Sequence, residues 1–476
     1  MKSLGASRIG WTAVLTTLGF GLGLAAVGEG NLITLGFTPL AVVIGLILFQ
    51  RYPRQYAFYA TALWMFTPLV RRLADWLSGY NVANPVMLAP LLVSSLGVIT
   101  VIRRAGRIGT PNLLPFTIIA GFLGFAFLLG LMQNGVASAA VGLLNWGGPL
   151  LFAMHLLLRH RQGEEYEGAV LDALAWGTLA LGLYGIYQYF APPIWDRYWM
   201  MSSGMTSIGS PAPRMVRVFG TMNSPGPFAD MLVIGLLALL VRGGAMRWIA
   251  SAPGYTALLL SLVRAAWGGW FLGALALIIT SPPKRSMNYL AIGGALAVLS
   301  MPLLLLEPVS SVVSQRMNTL NSADQDVSLR ARLELYRNSS SAAQSLLGSG
   351  LGQSGSATRL AKDSGGAGDY TVIDSGLVEL LMTFGLPGAA VIVVALMTSL
   401  TRAGMRARSH PNAGLGFAMA FATFVQIAFG PMLSGVSGAI FYTSLALALS
   451  PRERRVAPTQ ALGAQARTRL LPRPTG

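Results

Sequence analysis

Long apolar stretches limit what this chain can fold into more than any other feature of its sequence. A helix that crosses the ~30 Å hydrocarbon core of a bilayer needs about 20 mostly apolar residues. The sequence predicts about fourteen such helices, at residues 11–27, 33–50, 56–70, 83–102, 113–132, 137–158, 168–190, 225–242, 246–262, 265–280, 287–306, 374–398, 414–430 and 434–450. The part from 243 to 280 also fits one broken helix instead of two.

The composition supports a membrane-spanning bundle. The chain is 53% hydrophobic and 11% charged, whereas soluble domains carry roughly 25% charged residues. Its apolar stretches are continuous and do not alternate with polar residues, which excludes a β-barrel. We therefore predict an all-α polytopic transmembrane protein.

The distribution of positive charge predicts the orientation. The net charge is +17, and basic residues concentrate in every second connection between the predicted spans. Under the positive-inside rule those connections, and with them both termini, lie in the cytoplasm. The arginine-rich tail, 451–476, is predicted to be disordered and weakly attracted to anionic membrane lipids. A nucleic acid is not an expected partner.

This orientation leaves two long loops on the outer side. The predicted organisation is N-terminal membrane helices at 1–190, an outer loop at 191–224, membrane helices at 225–306, a large outer loop with surface helices at 307–373, C-terminal membrane helices at 374–450 and the tail at 451–476. Long loops in compact proteins are usually functional or disordered.

Arg264 stands between two apolar stretches near the predicted outer surface. A charged residue deep in a membrane helix costs ~2.5–3.5 kcal/mol on insertion scales. Arg264 therefore either extends its side chain to the membrane surface or binds an anionic ligand.

Arg217 and Asn223 lie in a turn just before the next predicted helix, together with Gly220 and Pro225. Proline suits the first turn of a helix, and the exposed N–H groups of such a turn can bind an anion. The alternative is a helix-entry turn with an incidental arginine.

Residues 328–337 predict a helix at the membrane surface. Arg330, Glu334 and Arg337 share one face, as in a solvated charged stripe, whereas Arg332 points to a different surface. The helix leads into a glycine-rich turn at 347–352, which is predicted to be flexible.

Asp374 and Glu379 open the next predicted span. Asp374 is either the N-cap of that helix, a common role, or a reacting carboxylate at the outer surface. Glu379 is a second candidate, because a carboxylate further inside the helix is costly unless it is paired.

Several arginines on one side favour a phosphate-bearing ligand, since the guanidinium group matches phosphate oxygens in pairs and stays charged.

No metal or other cofactor is expected. The Asp324-Gln-Asp326 motif resembles a nucleotide-sugar metal site, but the outer side holds no nucleotide sugar. All three histidines lie near the predicted cytoplasmic side, at His155, His160 and His410, so no zinc site or outer histidine base is predicted.

These motifs, in this order, resemble the O-antigen ligase and O-antigen polymerase superfamily of bacterial envelope glycosyltransferases. The resemblance covers about residues 165–450. It rests on the Arg217-Val-Phe-Gly-Thr-Met-Asn-Ser-Pro segment, Ser261-Leu-Val-Arg264, Arg332, the Leu347-Gly-Ser-Gly turn, and Asp374-Ser-Gly-Leu-Val-Glu-Leu-Leu followed by Phe384-Gly-Leu-Pro-Gly.

The resemblance implies a GT-C-like enzyme of the bacterial inner membrane, whose outer loops are periplasmic. It implies a metal-independent reaction in which an acceptor glycan hydroxyl attacks a glycan carried on undecaprenyl diphosphate. Arg217, Arg264 and Arg332 would bind the diphosphate, with Arg330, Asn223 and Glu379 as secondary candidates. Asp374 would be the catalytic base or would orient the acceptor.

Asp374 stands where ligases that act on lipid A core have a histidine, which favours a polymerase that joins repeat units of O-antigen or exopolysaccharide. The first alternative is an O-antigen ligase that transfers glycan to lipid A core or to another acceptor. A lipid-linked oligosaccharide flippase is an alternative of another class. Implied partners are membrane lipids, a chain-length regulator and a flippase.

Overall fold

The computed structural model describes residues 2–159, 163–305, 346–354, 358, 360, 375–408 and 411–450. The described α-helices are α1 (Lys2–Ala26), α2 (Gly30–Arg51), α3 (Pro53–Ser78), α4 (Leu88–Ser95), α5 (Gly97–Arg103), α6 (Leu114–Gln133), α7 (Val136–Leu158), α8 (Gly163–Phe190), α9 (Ile194–Ser202), α10 (Pro225–Val241), α11 (Ala245–Leu260), α12 (Arg264–Thr280), α13 (Pro283–Leu305), α14 (Gly376–Ala407), α15 (Pro411–Phe424) and α16 (Gly435–Leu449).

The predicted all-α polytopic fold is confirmed. Each predicted span coincides with a helix, except that residues 83–102 form a short 3₁₀ turn followed by α4 and α5. Within the described residues, seven helical segments are long and apolar enough to cross a membrane. They are Arg8–Ala26, Gly30–Arg51, Pro85–Arg103, Leu114–Gln133, Val136–Leu158, Tyr166–Phe190 and Gly376–Ala407.

The part from 243 to 280 forms two antiparallel helices. The Trp267 indole on α12 donates to the Leu258 carbonyl on α11 at 3.0 Å. One turn further from the connection, the rings of Tyr255 and Trp270 meet edge to face with centroids 5.3 Å apart. Contacts that pair residues symmetrically about a turn define a helical hairpin, so the alternative of one broken helix is wrong.

Successive membrane-spanning segments run in opposite directions, with α4 and α5 forming one segment, so the bundle has two faces. The site face is the end at which α3, α6, α8 and α11 end and α10, α12, α14 and α16 begin. The opposite face carries the ends of α5, α7, α14 and α16.

Arginines at the opposite face bind the carbonyl ends of helices. Arg406 donates to the Leu449 carbonyl at 2.6 Å, and Arg104 donates to the Leu158 carbonyl. The last carbonyls of a helix lack partners within the helix and carry partial negative charge. Cations here therefore stabilise the helix ends that they contact.

A buried ion pair joins α3 to α9, the short helix between α8 and α10. Arg72 and Asp196 are both fully buried, and Arg72 donates to the carboxylate at 2.5 Å. The same carboxylate accepts from Gln188 at 2.6 Å and from Tyr184 at 3.1 Å. Burial raises the pKa of the Asp196 carboxyl, and Arg72 opposes that shift. The carboxylate thus accepts three hydrogen bonds, as a buried charge requires, whereas Nε of Arg72 has no partner among the described residues.

Arg72 also holds the backbone that enters α10. Its second amino group donates to the Gly220 carbonyl at 2.6 Å, while the Gln188 side chain accepts from the Phe219 and Gly220 N–H groups at 2.9 Å each. Gly220 has φ of 51°, a conformation that favours glycine. Residues 217–223 are thereby fixed against α3 and α8 without belonging to a helix.

Replacing Asp196 by Ala is expected to destabilise the protein by about 3–5 kcal/mol, because it leaves the Arg72 charge buried without its partner. The double variant Arg72→Met/Asp196→Leu should lose much less, since neither charge remains. The measurement is the thermal unfolding midpoint of the purified protein in detergent. As a control, Asp172→Ala removes a partly exposed carboxylate and should cost about 1 kcal/mol or less. Equal effects of Asp196→Ala and Asp172→Ala would contradict the assignment.

Candidate functional site

Arg217 lies in the 217–223 segment and binds the turn between α11 and α12. Its guanidinium donates to the carbonyls of Ser261 and Leu262 at 3.3 Å each and to that of Ser207 at 2.9 Å. The Val218 N–H also donates to the Leu260 carbonyl at 3.2 Å. These carbonyl acceptors hold the guanidinium at this turn.

The turn that Arg217 binds leads directly into Arg264. Leu262 has φ of 56°, a left-handed conformation that costs a residue with a side chain ~1–2 kcal/mol. Arg264 is the first residue of α12 and is half-buried. It does not lie within a continuous membrane helix, because the chain turns at Ser261–Val263. The structure therefore brings Arg217 and Arg264 to the same turn on the site face.

Arg264 adds its positive charge to the N-terminal end of α12. The first N–H groups of a helix lack partners within the helix and carry partial positive charge. An arginine at the same helix end adds to that potential, whereas one at a helix C-terminus would offset it. The arrangement can stabilise an anion that reaches the turn, such as a phosphate group.

Asn223 contacts residues outside the turn that holds Arg217 and Arg264. Its backbone carbonyl accepts from the Trp199 indole at 3.0 Å, and its side-chain amide lies 3.7 Å from the Met87 sulfur. No described contact joins its side chain to the turn that holds Arg217 and Arg264. Pro225 occupies the first turn of α10, as the sequence predicts.

Residues 346–354 form a second non-helical segment on the site face. The Leu351 N–H donates to the Ala126 carbonyl of α6 at 2.9 Å, and the Ser349 N–H donates to the Met382 carbonyl of α14 at 2.7 Å. The Asn134 side chain donates to the Ser349 and Leu351 carbonyls at 3.0 and 2.9 Å. The prediction of a flexible turn here is wrong, because these bonds fix it to two helices.

Glycines allow this close approach. Gly350 has φ of 73°, and a Cβ there would lie 2.4 Å from the Gly130 nitrogen. Gly348 likewise packs on Gly385, where α14 breaks its helical conformation with φ of 66°. A side chain at either contact would push the segment away from the helices.

Glu379 ties the end of this segment to two helices. Its carboxylate on α14 accepts from Ser354 at 2.9 Å and from Ser434, which precedes α16, at 3.4 Å. The side chain is buried, and its second oxygen has no hydrogen-bond partner in the described residues. No described contact connects Glu379 to the Arg217–Arg264 turn.

Ser375 caps α14. Its side chain accepts from the Val378 N–H at 3.4 Å, which is the usual N-cap contact. The alternative in which Asp374 is the N-cap is therefore wrong. Asp374 itself, with Arg330 and Arg332, lies outside the described residues.

Asp230 is a buried residue that the sequence analysis missed. It lies on α10 and accepts from Ser437 on α16 at 2.7 Å. Ser437 is one turn from Ser434, the partner of Glu379, so two buried carboxylates flank the start of α16. The sequence did contain a signal for it. Asp230 is the one acidic residue of the apolar helix α10, and an acidic residue in an apolar span is a candidate for function. Among the described residues, no group of three His, Asp or Glu side chains is placed to hold a metal ion.

Comparison with known families covers part of this region. Residues 248–393 match the family described as O-antigen ligase. The match includes Arg264 and Glu379 and begins after Arg217 and Asn223. No curated protein matches the chain. The match over residues 248–393 supports the expected resemblance to the superfamily of O-antigen ligases and O-antigen polymerases.

Proposed function

We propose that this protein is an inner-membrane glycosyltransferase that polymerises undecaprenyl-diphosphate-linked repeat units of O-antigen or exopolysaccharide at its periplasmic face. The family match supports a membrane enzyme of O-antigen or polysaccharide assembly. In this proposal the site face is periplasmic and both termini are cytoplasmic.

The observation that carries the proposal is the meeting of Arg217 and Arg264 at one helix-start turn. Arg217 comes from the loop after α8, and Arg264 begins α12. Two guanidinium groups and a helix N-terminus at one place suit a ligand with more than one phosphate charge. A lipid diphosphate at a membrane surface has that chemistry.

The proposed reaction needs positive charge at the leaving group. An acceptor hydroxyl oxygen attacks the anomeric carbon of the donor glycan, and the bond from that carbon to the diphosphate oxygen breaks. The electron pair stays on the diphosphate, whose negative charge grows in the transition state. Cations fixed in place before the reaction therefore stabilise the transition state more than the bound substrate. Asp374 takes the proton of the hydroxyl, and Arg332 is the third cation.

The contacts of Arg217 suggest that it acts in two ways. Its bonds to the Ser261 and Leu262 carbonyls hold the turn that leads into Arg264. Its charge adds to the potential at the same turn. Arg264 contributes mainly charge and direct hydrogen bonds to the ligand.

An O-antigen ligase is the second candidate, because the matching family carries that description. The polymerase is preferred because Asp374 stands where ligases that act on lipid A core have a histidine. A flippase is the alternative of another class, and the family match favours an enzyme over it. The reaction products distinguish the polymerase, the ligase and the flippase.

The purified protein should convert defined lipid-linked repeat units into longer lipid-linked chains. The measurement is separation of the products by size, with the lipid still attached. Transfer only to added lipid A core or to a protein would establish a ligase and contradict the polymerase. Movement of the intact substrate across vesicles without any new glycosidic bond would establish a flippase.

Replacing Arg264 by Gln is expected to lower kcat by about 10²–10³, the usual loss when one charge-stabilising donor is removed from a transition state. Arg264→Lys should retain part of the activity, since the charge remains but the paired hydrogen bonds do not. The control is Arg197→Gln, which removes an exposed arginine from the same face and should leave kcat unchanged. Equal losses for Arg197 and Arg264 would contradict a specific phosphate contact.

Amide variants of Asp374 and Glu379 distinguish which of the two carboxylates acts as the catalytic base. Asp374→Asn removes the proposed base and should lower kcat by about 10²–10⁴. Glu379→Gln should retain most activity, because an amide oxygen can still accept from Ser354 and Ser434. Activity is followed across pH for both variants with the same lipid-linked substrate. The opposite result, with Asp374→Asn active and Glu379→Gln inactive, would assign the base to Glu379.

A further inference from the structure

A cavity of about 80 Å³ lies between α1, α3 and α8, at the opposite face of the bundle. Trp11 on α1, Arg54 and Phe58 on α3, and Asp172 and Trp176 on α8 line it. A single water molecule needs ~10–15 Å³, so the cavity admits a group of several atoms. It is at the other end of the bundle from the Arg217–Arg264 turn.

The charged groups at this cavity leave one excess positive charge. Asp172 binds Arg242 directly and lies 3.8 Å from the Arg54 guanidinium. A separation of 3.8 Å is longer than a hydrogen bond, so the carboxylate neutralises the charge of Arg242 more fully than that of Arg54. Arg54 is the second residue of α3, where the helix adds positive potential. About a third of each of the three side chains is exposed, and an anion from outside can reach them.

Aromatic rings also line the cavity. The Trp11 ring lies 5.2 Å from Phe58 and 5.5 Å from Trp176, edge to face in both cases. Tryptophan concentrates at the depth of the lipid headgroups. One turn beyond Trp11 on α1 and two turns beyond Trp176 on α8, towards the site face, lie Leu15 and Leu183, which are 62% and 55% exposed.

We propose that this cavity binds the phosphate of an anionic phospholipid, whose acyl chains lie along α1 and α8. Arg54 donates to the phosphate, Arg242 contributes charge, and the tryptophans contact the glycerol region. The apolar surface beyond the cavity favours a lipid over a free anion, because a free anion would gain nothing from it. This site is independent of the proposed glycosyl transfer.

Native mass spectrometry of the full-length protein in detergent tests the proposal, with phosphatidylglycerol or phosphatidylcholine added at equal concentration. Phosphatidylglycerol should bind more tightly. Arg54→Gln should weaken its binding about fivefold, the effect of one basic residue at a lipid surface. Asp172→Asn should strengthen it, because the competing carboxylate is gone. A gain of binding cannot come from misfolding.

The matched control is Arg51→Gln, which removes an exposed arginine at the end of α2 on the same face and should change binding less than twofold. Equal effects of Arg51→Gln and Arg54→Gln would overturn the site, as would unchanged or weaker binding in Asp172→Asn. Equal retention of the two lipids would overturn the charge preference. Displacement of the lipid by the same concentration of inorganic phosphate would show that the ligand is a free anion.

Discussion

Arg72 connects the membrane bundle to the segment that carries Arg217. It binds Asp196 and the Gly220 carbonyl from the end of α3, and each of these groups also binds Gln188 on α8. A buried ion pair gains little free energy by itself, since removing both charges from water costs several kcal/mol per ion. Its value here is geometric, because a guanidinium with fixed donors permits one placement of the Gly220 carbonyl. Because Gly220 is held in this way, the position of Arg217, three residues earlier in the chain, is also restricted.

Two non-helical segments follow the same physical rule. Backbone that lacks helical hydrogen bonds and is removed from water is tolerated only where other protein groups satisfy it. Residues 217–223 are satisfied by Arg72 and Gln188, and residues 346–354 by Asn134 and by carbonyls of α6 and α14. Polar side chains on helices therefore replace the hydrogen bonds that water would supply. These bonds fix the irregular backbone, and with it the positions of its side chains, Arg217 among them.

The sequence predicted the helices because hydropathy alone decides which stretches can cross a membrane. Arg217 and Arg264 could be singled out because a charge beside an apolar span is costly. A break between residues 262 and 265 was predicted, but the binding of Arg217 to that turn was not, because the contacts join residues more than 40 positions apart. The attachment of residues 346–354 was equally hidden, because Asn134 lies more than 200 residues earlier in the chain. Ser375 and Asp374 are both good N-caps, and only the geometry distinguishes them.

The direction of each helix decides what an arginine does at its end. At the opposite face, Arg104 and Arg406 contact helix C-termini, where the dipole attracts a cation and the arginine is satisfied by the fold itself. Arg264 at the start of α12 and Arg54 at the start of α3 have the reverse arrangement, because there the dipole and the side chain carry the same sign. An anion from outside the fold would add to the stabilisation of either position. In the two proposals that anion is a glycan diphosphate at one end and a phospholipid at the other, and the two ligands differ in the surfaces that they meet beside the arginine. At Arg264 those surfaces are the turn carbonyls and the 217–223 segment, whereas at Arg54 they are tryptophans and exposed leucines that suit acyl chains.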